Sequence, residues 1–390
     1  MADIATHHRA VAILEAARRD GHVARLPARL PAEAKFAWRK PLSGPGLAGL
    51  AATTNLVFVA DRDPLDEHDA FLAFRATDGE LVWQLEYPAR ADLDYGQSPR
   101  ATPLVRHGRA FLLGACGQLH CVDATSGKVI WKRNLPRDFG ARIPKWGYCS
   151  TPLWVDGRLI VNPGASNASL VALDAASGKV LWKTPGPPAA YGAFILAELG
   201  GRLQIVGHDE VSLGGWDPRT GRRLWTLTPP RSGDFNVPTP VAHEGRLLVV
   251  TENNGARLHG FRDDGTILPE PLLRTEALLA QTSSPVITGG CVFGWDHTLR
   301  CLDLGDGLKE IWTLPNSASG THASFLAADG RLLVVTEGGE LLLLKVASPP
   351  VVESRLRFTP EDTGGYAHPA LAGGRLFLRN QSHLLCLSVE

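Results

Sequence analysis

The stretch DATSGKVIWK (Asp123 to Lys132) returns about fifty residues later as DAASGKVLWK (Asp174 to Lys183), and this repetition constrains the fold more than any other feature of the chain. A catalytic motif is needed once, whereas a sequence that recurs at a steady period is a structural unit being stacked. The frame is an Asp, a small turn residue, a Gly, and a Trp four positions after the Gly. It recurs in ATDGELVW (ending at Trp83), ATSGKVIW (Trp131), AASGKVLW (Trp182) and PRTGRRLW (Trp225), and with one inserted residue in LGDGLKEIW (Trp312). Two copies have decayed: RDDGTILP puts Pro269 in the Trp position, and VVESRLRF offers Phe358. An eighth mark, Trp38 in KFAWRKP, lacks the preceding turn. Neighbouring marks lie 43 to 51 residues apart, the period of one four-stranded propeller blade.

Each unit divides into four short strands. In the second they are ATPLVRH, RAFLLGA, QLHCVDA and KVIWKRN, separated by turns at His107-Gly108, Cys116-Gly117 and Ser126-Gly127. Runs rich in Val, Leu, Ile and Phe, bounded by Gly, Asp, Asn and Ser, predict antiparallel hairpins. Trp on the outermost strand is expected to wedge between neighbouring blades, where its large apolar body is buried. The fold class that follows is all-β, a single eight-bladed β-propeller of four-stranded antiparallel blades spanning residues 36–390. Its ring is expected to close by the N-terminal strand FAWRKP completing a last blade begun by HPALAGG, RLFLRNQ and HLLCLSV, which removes exposed strand edges. Residues 1–35 read as a short amphipathic helix (His8 to Asp20) and a Pro-punctuated linker.

Lys plus Arg and Asp plus Glu both number 40, for a net charge of zero, and no basic run is interleaved with aromatics, so nucleic acid is not an expected partner. No apolar stretch approaches the roughly 18 to 20 residues that span a membrane. The leading HHRAVAILEAARRDGHVARLPARLP is broken by Glu15 and Arg18-Arg19, so no export signal is read there. The six cysteines match neither a CxxC zinc spacing nor a CxxCH haem attachment. They are expected as buried apolar residues, although Cys116 with Cys121, and Cys291 with Cys301, flank hairpin turns where a cross-strand bridge would be possible.

The repeats DATSGKVIWK, DAASGKVLWK and DPRTGRRLWT resemble the blade motif of PQQ-like propellers, a family that includes quinone-dependent alcohol dehydrogenases and the BamB assembly lipoproteins. DYGQSPRATPLV, WGYCSTPLWVDGRLIVNPG and YAHPALAGGRLFLRNQSHLLCL resemble a compact branch of that family. The resemblance covers residues 36–390, and implies a periplasmic or exported location. For a dehydrogenase it implies PQQ and Ca as cofactors, an adjacent Cys-Cys disulfide, a stacked Trp, and a carboxylate base. This sequence has no adjacent cysteines and shorter blades. For a BamB-like role the resemblance implies a protein partner and a lipidated N-terminal Cys, which the sequence as given does not show.

In a propeller, the connections between blades and those between second and third strands meet at one mouth, where the candidate ligand-binding residues are Arg100, Trp146, Tyr148, Tyr191, Asn236, Gln281, His322, Tyr366 and His368. Trp146 is singled out as a stacking platform for a planar ligand or sugar. Arg100 is a candidate partner for a carboxylate or phosphate, or for Asp92 or Asp94 beside it. His322 and His368 hold equivalent places in neighbouring blades and are expected near one another. Asp209, Glu252 and Asp296 are weak candidates for a metal. No GxSxG elbow, phosphate loop or HExxH helix occurs, so no catalytic residue is assigned. The leading expectation is a non-catalytic scaffold that binds a protein or a saccharide-like molecule over its mouth. The alternatives are a PQQ- and Ca-dependent oxidoreductase acting on an alcohol or sugar, and a metal-using carbohydrate-active enzyme.

Overall fold

The computed structural model describes residues 21, 23–314, 320–328, 330–360 and 364–389; the helix expected over His8 to Asp20 lies outside them. Within these residues the chain forms eight four-stranded antiparallel sheets, seven of them built from consecutive strands. We number the blades in chain order, the first spanning residues 51–88. The eighth is the exception that closes the ring: Phe36–Pro41 pairs with His383–Ser388 in the register Trp38 to Cys386. The orphan Trp38 therefore stands where its repeat position demands. One apolar cluster fills each of the eight junctions between neighbouring blades.

The repeat motif builds a turn and the anvil for a neighbour's tryptophan. Asp123 Oδ1 accepts hydrogen bonds from the Thr125 and Ser126 amides and from the Ser126 hydroxyl, which bends the chain toward Gly127 at φ 71°. The left-handed conformation favours glycine. A Cβ there would also collide with the Trp83 ring at 2.7 Å. The indole of Trp83 donates from Nε1 to the Ala124 carbonyl at 3.0 Å. The same bond runs from Trp38 to Ala76, from Trp131 to Ala175 and from Trp182 to Pro218. Each of these four tryptophans thus reaches across to the turn of the next blade. Trp225 departs from the pattern by donating to Gln204 Oε1 within its own blade, and Gln204 in turn donates to the Gly265 carbonyl. Pro269, expected in the Trp position of blade 5, lies outside its outer strand, which is Leu273–Thr275, and the turn glycine Gly307 of blade 6 has open space above it.

Trp83→Phe keeps an aromatic ring in the junction but loses the indole N–H, leaving the buried Ala124 carbonyl without its donor. The expected loss of unfolding free energy, read by urea denaturation, is about 1 to 2 kcal/mol.

The inner hairpins turn on two successive residues with positive φ, as at His107-Gly108 (46° and 71°) and Asp156-Gly157 (47° and 79°). This is the two-residue turn whose twist matches that of antiparallel strands. One helix, α1 (Leu135–Phe139), interrupts the all-β pattern after the outer strand of blade 2. It has local causes: Asn134 caps its start by accepting from the Arg137 amide, Pro136 sits in the first turn, and Gly140 ends it at φ 70°. Nothing in the repeat signalled it.

Residue 21 and residues 23–34, expected as a linker, pack against blade 7. Val23 donates to the Ala327 carbonyl of its innermost strand, and Leu30 donates to Ser354 Oγ of its outermost strand. Leu26 and Leu30 are each 3% exposed. All six cysteines are free thiols, five of them buried, and no helix among the described residues is long and apolar enough to cross a membrane.

Candidate functional site

The two loop sets do meet on one face of the ring. Lys145 of the connection after blade 2 pairs with Asp94 of the connection after blade 1 at 2.9 Å. Gln97 reaches Asp66, between the second and third strands of blade 1, at 3.0 Å. Asn236 donates to the Asp209 and Glu210 carbonyls, and Tyr366 donates to Glu337 at 2.7 Å. These bonds tie inter-blade loops to the strand-connecting loops beside them, so the face is a braced surface.

Its centre is aromatic. Trp146 lies 4.7 Å from Tyr191, 4.7 Å from Phe235 and 6.1 Å from Tyr95, between ring centroids. Four separate inter-blade connections supply these rings. Tyr95 is 79% exposed and Phe235 is 40% exposed. Trp146 itself is half-buried, and its Nε1 has no hydrogen-bond partner. It is the hub of the cluster, with its neighbours bearing the exposed area. Burial raises the Tyr191 phenol above its ordinary range, so Tyr191 acts as a neutral apolar body with a polar tip.

Arg100 turns out to be a brace. Its guanidinium donates to the backbone carbonyls of Asp94, Gly96 and Ser98, each at 2.7 Å, and it is 9% exposed. It clamps the loop that holds Tyr95 at φ 63°, a left-handed conformation that is uncommon for a non-glycine residue. Tyr148 is buried beneath the face with its hydroxyl donating to the Pro163 carbonyl at 3.1 Å, so it serves the core under Trp146. Gln281 is exposed.

His322 and His368 are neighbours, as their positions suggested. Burial, with the charge of His368 adding and Glu337 opposing, holds His322 at about 4. The His322 ring stands 5.8 Å from Tyr366. Tyr366 is raised to about 12 by its hydrogen bond to Glu337.

The three candidate metal ligands stay apart. Asp209 pairs with Arg223 at 2.9 Å and accepts from Ser212, Glu252 accepts from the Phe235 amide, and Asp296 lies 3.6 Å from Arg300. They belong to blades 4, 5 and 6. Among the described residues no group of three or more His, Cys, Asp or Glu side chains is placed to hold a metal ion. With no adjacent cysteines and with Trp146 packed among other rings, the residues present do not fit the quinone and calcium centre that the resemblance implies.

Phe235, beside the candidate Asn236 on the connection after blade 4, is shown against Trp146 only by the fold. A second group was invisible in the sequence. Asp69 is fully buried, bonded to Arg62 at 2.6 Å and to Tyr87 at 3.3 Å, while Tyr87 stacks 4.5 Å from His120 of the next blade. Burial raises Asp69 to about 6 against the pull of Arg62.

The family model for outer membrane protein assembly factor BamB matches residues 22–141 and 73–308. Among curated proteins, BamB of Yersinia pestis is 26% identical over 260 residues, covering 65% of this chain and 60% of that protein. A tetrathionate hydrolase of Acidithiobacillus ferrooxidans is 25% identical over 296 residues, covering 67% and 52%. The quinoprotein alcohol dehydrogenase PedH of Pseudomonas putida is 28% identical over 140 residues, covering 32% and 22%. The chain thus spans 60% or less of the length of each of these relatives. The crystal structure of BamB from Moraxella catarrhalis superposes with a TM-score of 0.63 at 15% identity, covering 91% of this chain and 97% of that one. A europium-containing methanol dehydrogenase superposes with 0.64 at 11% identity, covering 92% and 95%. At such identities these superpositions are a likeness of fold.

Proposed function

The chain belongs to the family of outer membrane protein assembly factor BamB, and from that premise we propose that it is a non-catalytic binding scaffold whose mouth face engages a polypeptide partner. The observation that carries this reading is the aromatic cluster of Tyr95, Trp146, Tyr191 and Phe235, held in place by Arg100 and by the Lys145–Asp94 pair. Exposed aromatics on a braced surface bury a large area on contact and lose little conformational freedom, which is why they dominate binding hot spots. The role named for the BamB relatives, assembly of outer membrane proteins, supports a protein as the occupant.

A second reading, a PQQ-dependent oxidoreductase, draws support from the quinoprotein alcohol dehydrogenases among the relatives. The scattering of Asp209, Glu252 and Asp296 over three blades favours the scaffold over it.

One experiment separates the two. A photo-crosslinking residue placed at Tyr95 is expected to capture a defined polypeptide in cells of the native host. Trp146→Ala is expected to weaken binding of that polypeptide by about thirtyfold, the equivalent of a hot-spot loss of about 2 kcal/mol. Stoichiometric uptake of PQQ with calcium by the purified protein, with turnover of an alcohol, would overturn the scaffold reading.

A further inference from the structure

The innermost strand of each blade has one free edge, and in a closed ring those edges face the central channel. In blade 7 part of that edge is taken. The Ala327 amide, in the innermost strand Ala323–Ala328, donates to the Gly21 carbonyl at 2.8 Å, and the Val23 amide donates to the Ala327 carbonyl at 3.0 Å. Both groups of Ala327 point away from the second strand, because the hairpin closes on the neighbouring pair Ala328 and Arg331. Gly21 therefore lies inside the ring. It also faces blade 6, since a Cβ on it would stand 3.2 Å from the Phe325 carbonyl and 3.5 Å from Val286 Cγ2. Among the described residues, Ala323–Ala328 is the one innermost strand in which every residue is buried.

The pairing has a direction. A carbonyl at 21 and an amide at 23, both bonded to one residue of the neighbouring strand, form the pattern of a parallel pair. The chain at 21 to 23 thus runs with 323 to 328, from the mouth toward the far face, before it leaves for the rim, where the Leu30 amide meets Ser354 Oγ of the outermost strand. What precedes Gly21 arrives from the mouth side. The sequence there is MADIATHHRAVAILEAARRD, with an apolar centre from Ala10 to Leu14 between charged flanks. Twenty residues span about 30 Å as a helix and more when extended, against about 20 Å for a strand of six.

We propose that the central channel is the docking surface of residues 1–20, which rise from Gly21 along the inner edges of blades 6 and 7 to the open side of the mouth. The aromatic rings of the mouth come from the connections after blades 1 to 4. Above blades 6 and 7 the wall is polar: Ser283 Oγ accepts from the Ala323 amide at 2.9 Å, Thr282 donates to the Thr321 carbonyl at 3.1 Å, and Gln281 is exposed. Attachment at Gly21 favours this occupant over a second copy of the chain, since a tethered segment is present at an effective concentration of about millimolar. At the mouth the segment stands beside the aromatic cluster, where a polypeptide partner has to share or displace it; that consequence rests on the scaffold reading, and the docking itself does not.

The test is photo-crosslinking of the whole purified protein, with benzoylphenylalanine placed either at Gln281, above the channel, or at Thr288, at the far end of the innermost strand of blade 6. The Gln281 probe is expected to join to residues 1–17 of its own chain, with a mixture of light and isotopically heavy protein showing that the join is internal. Tryptic cleavage after Arg18 or Arg19 is expected to be about tenfold slower in the native protein than in a synthetic peptide of residues 10–24. Failure of the Gln281 probe to reach residues 1–17, capture of them from Thr288 alone, or joins that form only between chains would overturn the proposal. So would cleavage at the rate of the free peptide.

Discussion

Replacing Arg379 with methionine is expected to lower the free energy of unfolding by about 3 to 5 kcal/mol, the cost of leaving a buried charge without its partner. Arg379 is 2% exposed, on the second strand of blade 8, and it reaches across the seam at which the ring shuts. Its guanidinium donates to the Ala60 carbonyl, to the Gly44 carbonyl at 2.8 Å and to Asp61 Oδ1 at 3.3 Å. Residue 44 belongs to the link between the closing strand and blade 1, and residues 60 and 61 belong to blade 1. A single side chain therefore ties the last blade to the first and to the strand that joins them. Gly46 lies against the guanidinium with no room for a Cβ, so the link is shaped around the arginine.

Asp61 is 3% exposed and retains only the Ser43 amide at 2.7 Å once the guanidinium is gone. Adding Asp61→Asn to Arg379→Met removes the stranded charge, and the double variant is expected to recover about half of the loss. Urea unfolding of wild type, both single variants and the double variant measures this coupling. If the losses from the two single changes simply added, the tie would have no energetic content beyond packing. Limited proteolysis is expected to cut Arg379→Met first near residues 42–47, because the seam is the one junction whose strands are remote in sequence.

The ring was legible because its evidence is repeated. A turn Asp, a turn Gly and a Trp at one period state the blade several times over, so the decayed copies at Pro269 and Phe358 did not obscure it. The orphan Trp38 even disclosed the closure. The mouth was legible only as a set of loops. The sequence places Trp146, Tyr191 and Phe235 on successive connections, but which rings touch depends on loop conformations that no period governs. Arg100 shows the limit well. An arginine before an inner strand has the same local sequence whether it faces a ligand or its own loop carbonyls, and only the positive φ of Tyr95 makes the second role necessary. Arg257 and His208 are more hidden still, since they lie 49 residues apart in sequence and only the fold brings them, with Asp234, to one recess between blades 4 and 5. The helix Leu135–Phe139 escaped because five residues carry no periodic signal, only the caps at Asn134 and Gly140.

The buried histidines give the second large prediction, an acid-induced loss of stability that sets in well above the carboxylate range. Burial holds His208 at about 3, with the charge of Arg257 adding to it, and holds His120 at about 4, with Lys132 adding. They are 4% and 7% exposed. In the unfolded chain each titrates near 6.5. Between that value and the folded one the unfolded state binds the extra proton, so stability is complete above about pH 6.5 and is lost as the pH falls below it. Each histidine then costs about 1.4 kcal/mol per pH unit, or about 2 kcal/mol at pH 5. Asp69 works in the opposite sense. Its folded value of about 6 lies above that of an unfolded aspartate, so its protonation favours the folded ring over the same interval and offsets about 1.4 kcal/mol at pH 5. These three groups together give an expected loss of about 2 to 3 kcal/mol between pH 7 and pH 5, and His322, held at about 4 by burial, adds about 2 kcal/mol more; urea denaturation at each pH follows it. His208→Gln and His120→Gln should each flatten the decline by removing one proton from the unfolded-state account, whereas Asp69→Asn should steepen it. A stability that stays level from pH 7 to pH 5 in the wild type would show that these imidazoles are solvated and that the interfaces between blades 1 and 2 and between blades 4 and 5 are open to water.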